Sequence, residues 1–267
     1  MASQAPEREP RKLPSSATAG LLMARLFLRV ALAQRRTIWI GLLLAVPVGL
    51  AVWWRCTDGA GGQGFFVEMV VGVFLQFFCL GLPLYLGIAA VRDEIEDRTL
   101  VYLLARPVRR WVVLGGKVAA VGVAISAAMA LDVVLVFGIA ASAPGAGPGL
   151  GMLLTALGVV VLACIVYTGA FCLLGVAFRR PMIPAIIGAF GWEGVLSNMP
   201  GAFPKLTLMY YLKSLLGLGP QSSGLLALLV STAPPASAAR SLWVLFLVGG
   251  IFFAAAMIIG SRREQPV

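Results

Sequence analysis

A chain of 267 residues that is 60% hydrophobic and 12% charged, with a mean hydropathy of +0.95, is not a soluble globular domain. Its net charge of +10 does not point to nucleic acid, because the basic residues are spread between apolar runs, where anionic lipid is their natural counterpart. Histidine is absent, which removes serine–histidine hydrolysis, histidine metal sites and histidine haem ligation.

Residues 1–19 are polar, proline-rich and of mixed charge. They lack the positive-then-apolar order of a signal peptide and are expected to form a disordered cytoplasmic tail. Over 20–36 the pattern turns amphipathic: Arg25, Arg29 and Arg36 share one helical face, with Leu22, Leu26 and Phe27 largely opposite. Such a basic helix is predicted to lie in the headgroup plane.

Six apolar runs follow, at about 37–54, 65–91, 110–141, 150–178, 181–198 and 240–260. A span needs ~20 mainly apolar residues to cross ~30 Å of hydrocarbon. Backbone polar groups in lipid must be satisfied within the segment, so these runs are predicted to be helices. The alternation of a membrane barrel is absent. The expected fold class is therefore an all-α polytopic membrane protein of six transmembrane helices, one domain over 37–260, with a cytoplasmic tail at 261–267.

Orientation follows from the basic residues. With the N-terminus inside, only Arg55, Lys205, Lys213 and Arg240 fall on the outer side, and the other 17 of the 21 lysines and arginines face inward. The positive-inside rule places both termini in the cytoplasm.

The first run ends at Trp53–Trp54, an interfacial aromatic pair. In the third, Gly122, Ser126 and Ala130 repeat every four residues, as do Ala120, Ala124 and Ala128, a spacing that lets helices pack closely in lipid. The fifth opens at Pro181 and contains Pro184, Gly188, Gly191 and Gly194, so it is predicted to bend or break easily. Between 199 and 239 lie two apolar pieces too short to cross, Leu206–Leu218 and Leu225–Val230, read as re-entrant or interfacial helices.

Cys56, Cys79, Cys164 and Cys172 have no metal-binding spacing and read as small apolar packing residues. Three acidic residues lie in or beside spans. Glu68 and Asp132 are placed near the outer boundary and expected to be wet, whereas Glu193 is a candidate for lining a path or bonding between subunits. Phe74, Phe77, Phe78 and Asn198 are further candidates for a path, and the three phenylalanines suit a lipid or amphipathic cargo. No catalytic or metal-ligating set is expected. A phosphate-cradling loop is missing too: the nearest run, Gly115-Gly116-Lys117-Val118, lacks the earlier glycine and the following hydroxyl.

The most informative stretch is 91–110, which carries nine charged residues between two apolar runs. Asp93, Glu94, Glu96, Asp97 and Arg98 precede Thr99, which is placed to cap a short helix carrying Leu100, Leu103 and Leu104. Pro107 then stops that helix, and Arg106, Arg109 and Arg110 lead back to the membrane. The order Asp93-Glu94, Thr99-Leu100, Leu103-Leu104, Pro107-Val108-Arg109-Arg110 and Gly116-Lys117 resembles the signature of ABC-2 type transporter permeases, although residue 98 is arginine where relatives often carry glycine. The leader, six spans, outer segment and basic tail are similar as well.

The resemblance implies a type V exporter-like fold. It also implies two permease copies, identical or different, and two cytoplasmic ABC ATPase subunits that bind the ATP and Mg this chain does not. The segment 92–110 would be the coupling region, seated on the ATPase. The stretches Phe74–Tyr85 and Ile187–Asn198 of the two copies would line the central path. Two functions fit: a permease that exports a substrate, or a mechanotransmission subunit that relays ATPase motion to an accessory protein on the outer face.

Overall fold

The computed structural model describes residues 35–57, 59, 61–96, 110–145, 147–178, 180–199, 201–217 and 234–262. Among these there is no strand. Helix α1 is Arg35–Cys56. Helix α2 runs without a break from Gly62 to Glu96, passing through a π-helical stretch at Met69–Phe78. Helices α3 (Arg110–Ala141) and α4 (Leu150–Ala177) follow. Helix α5 spans Met182–Leu196 and is π-helical from Ile187 onward. A 3-10 turn at Phe203–Leu206 leads into α6 (Leu208–Leu215), and α7 is Ala238–Arg262.

Five helices, α1 to α4 and α7, are long and apolar enough to cross a membrane. The sixth expected span is α5, whose 15 residues rise only ~22 Å at the α-helical ~1.5 Å per residue, short of the hydrocarbon thickness. Hydropathy remains high through this run, but the helix stops at Leu196 and the chain turns back.

Helix α4 is the hub, packed against α2, α3 and α7. Small residues set these close approaches. A Cβ at Gly175 would lie 3.5 Å from Ile88 Cα of α2, one at Gly122 would lie 3.8 Å from Thr168, and one at Gly249 would lie 3.1 Å from Val166. The Gly122 stripe therefore packs within the chain, with Ala120 and Ser126 buried beside it. Helix α2 is the most enclosed span, and α1 and α7 are the least. Phe66, Phe74, Leu75 and Leu80 of α2 meet Met129 and Val133 of α3, Cys164 and Tyr167 of α4, and Met209 and Leu212 of α6 in one apolar core. A smaller cluster of Val91, Val118, Cys172, Val176 and Ala256 closes the inner end.

At the outer end Trp54 stacks on Phe65 with ring centroids 4.0 Å apart, and an Arg55 guanidinium nitrogen donates to the Ser142 carbonyl at 3.2 Å. Asp132 departs from expectation: it is 5% exposed, and its Oδ2 has no hydrogen-bond partner among the described residues. Helix α3 has 32 residues, so it overhangs the bilayer, and a position counted from its inner end falls deeper than a bare span length suggests.

Candidate functional site

The charged elbow is only partly within the described residues. Asp93, Glu94 and Glu96 continue α2 as its last turns, and Arg110 opens α3. Asp97, Arg98, Thr99, Leu100, Leu103, Leu104, Arg106, Pro107 and Arg109 lie outside the described residues, as do the leader helix at 20–34 and the piece Leu225–Val230. The acidic pair expected in a separate elbow thus belongs to the same continuous helix as the second span.

The densest polar cluster inside the bundle forms where α5 meets α6. A helix leaves orphan N–H groups at its start and orphan carbonyls at its end, and in an apolar surrounding each must find a partner. Glu193 serves the start of α6: Leu208 N–H donates to its Oε1 at 3.0 Å and Met209 N–H to its Oε2 at 2.9 Å. The Tyr167 hydroxyl donates to the same Oε2 at 3.0 Å. A carboxylate here also meets the positive end of the α6 dipole. Thr207 completes the cap by accepting from Tyr210 N–H at 3.3 Å.

The end of α5 is served in the same way. The Gly194 carbonyl accepts from Gln76 Nε2 of α2 at 3.2 Å and from Asn198 Nδ2 at 2.8 Å. Asn198 Oδ1 in turn accepts from the Lys213 ammonium at 2.8 Å. Lys213, in the last turn of α6, is buried, and desolvation pushes its ammonium down to about 8 against the opposing pull of Glu193. Helix α6 is also tied toward α7, with the Tyr210 hydroxyl donating to the Pro234 carbonyl and Ala236 N–H to Ser214 Oγ at 3.1 Å.

Tyr167 lies ten residues before the end of α4, ~15 Å along the helix, so this junction sits well inside the bundle. It joins α2, α4, α5 and α6, and both π-helical stretches enter it, one through Gln76 and the other through Glu193 and Gly194. Wide π turns recur at functional positions, and here they lie beside Pro83 and among Gly188, Gly191 and Gly194.

Of the residues expected to line a path, Glu193 and Asn198 come together in this junction, where they cap backbone within the chain. Phe74 is fully buried and packs in the core, Phe78 is nearly so, and Phe77 is 55% exposed on the other side of α2. The junction residues that sequence reasoning passed over are Gln76, Tyr167 and Lys213. Gln76 had a signal, being the one amide in the run Met69–Val91.

A sequence model of the family described as ABC-2 family transporter protein matches residues 32–192, from α1 to the residue before Glu193. No curated protein matches the chain.

Proposed function

The chain belongs to the ABC-2 transporter family, which consists of membrane transport components rather than enzymes, and from that premise we propose that it is the permease subunit of an exporter. Two copies of a separate cytoplasmic ATPase bind ATP and Mg and grip the segment 92–110 of each of two permease chains. The cargo is a lipid or another amphipathic molecule. The observation that carries this reading is the continuity of α2, one helix from Gly62 through the Gln76 contact to the acidic turn at Glu96. A push at Glu94–Glu96 travels along one continuous helix, past Pro83, before it reaches the junction. There the Gln76–Gly194 bond holds α5 to the middle of α2 while the outer tip of α2 swings, and α6, tied to α5 through Glu193, acts as the outer gate.

The permease performs no bond chemistry. It supplies two arrangements whose balance ATP shifts.

The test is reconstitution with the ABC ATPase encoded beside this chain. Glu94→Ala with Arg98→Ala is expected to abolish stimulated ATPase activity and weaken association about tenfold or more, the loss of ~1.4 kcal/mol at a contact surface. Undiminished association and stimulation would overturn the coupling role. ATPase stimulation without ATP-dependent efflux from proteoliposomes would instead favour the mechanotransmission reading.

A further inference from the structure

Two cysteines face each other across the contact between α2 and the hub helix α4. Cys79 closes the π-helical stretch of α2, its N–H donating to the Phe74 carbonyl five residues back. Cys164 stands at the middle of the 28-residue α4, one turn before Tyr167. The two sulfurs are 3.9 Å apart, both side chains are fully buried, and Cys79 Sγ also donates to the Val160 carbonyl at 4.0 Å.

Packing alone asks only for small volume, and Cys172 meets that need two turns further along α4, equally buried. The pair adds proximity. A disulfide needs ~2.0 Å between its sulfurs, so each sulfur must move by about 1 Å from the present 3.9 Å separation. Side-chain rotation covers a step of that size without moving the helices.

The surroundings select the product. Among the described residues no third cysteine, aspartate or glutamate joins the pair in a metal-holding group. Two thiolates around a monovalent soft metal would also leave a negative charge in the apolar core. A disulfide is neutral and leaves no polar group in need of a partner. Cys164 lies ~20 Å from either end of α4, so an oxidant reaches the pair through lipid rather than from water.

We propose that Cys79 and Cys164 form a reversible disulfide that fastens α2 to α4, and that its oxidant is an apolar organic hydroperoxide dissolved in the bilayer. One sulfur attacks the peroxide: an S–O bond forms, the O–O bond breaks, and the thiol proton leaves with the alcohol. The second sulfur attacks the resulting sulfenic acid, the S–S bond forms, and water leaves with the remaining proton. Two thiols and one hydroperoxide thus give one disulfide, one alcohol and one water. The inference does not depend on the permease reading.

The test uses the full chain carrying Cys56→Ser in lipid vesicles, treated with cumene hydroperoxide, then unfolded and alkylated with a maleimide. Alkylated thiols are expected to fall from three to one, Cys172 being the one left, and peptide mass spectrometry to find Cys79 linked to Cys164. A membrane-soluble trialkylphosphine is expected to restore all three. The bond joins residues 85 positions apart and so restrains the unfolded chain, and the thermal midpoint is expected to rise on oxidation. Cys164→Ala is expected to show neither the link nor the rise. Should that variant fail to fold, the oxidised and reduced forms of the Cys56→Ser chain decide by themselves. Three surviving thiols, a link that involves Cys172 or joins two chains, oxidation to sulfonic acid without a linked pair, or a midpoint that does not rise would each overturn the proposal.

Discussion

Glu193 accepts from three donors, the Tyr167 hydroxyl and the Leu208 and Met209 amides. Glu193→Ala strands all three, and each buried donor left unmet costs ~1–3 kcal/mol. Tyr167→Phe removes one hydroxyl and leaves both amides paired, for a loss of ~0.5–1.5 kcal/mol. Thermal unfolding in detergent should therefore rank Glu193→Ala well below Tyr167→Phe, and equal midpoints would refute the capping role. Lys213 adds a pH signature. Its folded value, about 8, lies below the ordinary 10.5, so between the two the unfolded chain holds the extra proton. Burying the charged ammonium is thus unfavourable below about 8, and stability should rise with pH through 8 to 10.5. Lys213→Met should flatten that rise in a difference curve against the natural chain.

The role of Glu193 was half legible: a carboxylate inside an apolar run had to face protein. Its partners come from positions 167, 208 and 209, whose proximity no linear spacing encodes. Asp132 was misplaced for a different reason, since counting from a helix end ignores the overhang of a 32-residue helix.

At the scale of elements, two glycines of α2 make opposite predictions. A Cβ at Gly62 would collide with the Ala140 carbonyl, which is backbone and cannot swing aside. Gly62→Ala should force α2 and α3 apart at their outer ends and lower the thermal midpoint. Gly81→Ala meets nothing and replaces a helix-weakening residue, so it should raise stability by ~0.5–1 kcal/mol. The same midpoint measurement on both variants checks the packing, and reversed signs would contradict it.

Helix boundaries were largely readable from hydropathy: the expected 110–141 and 150–178 became Arg110–Ala141 and Leu150–Ala177. The exception is α5. Apolar composition reports what lipid tolerates, not how many residues a helical turn consumes, so neither its π geometry nor its early stop could be read. Its prolines and glycines marked the place where regular structure would yield, but not the form it would take.

For the whole molecule, the basic residues predict that Cys56 lies at the outer end of α1. It is exposed, whereas Cys79, Cys164 and Cys172 are buried. A membrane-impermeant maleimide added to intact cells should label the natural chain once and leave Cys56→Ser unlabelled. Labelling that appears only after permeabilisation would invert the orientation and place residues 92–110 outside, away from any cytoplasmic motor.

The length of α2 has a mechanical consequence. From Gly62 to Glu96 it extends ~50 Å, so a tilt of ~5° about its middle swings each tip by ~2 Å. A bond of 3.2 Å does not survive a displacement of that size. Because Gln76 sits near the fulcrum, it barely translates while the tips sweep. A small rocking stroke could then pry open the exterior surface and leave the central clasp shut.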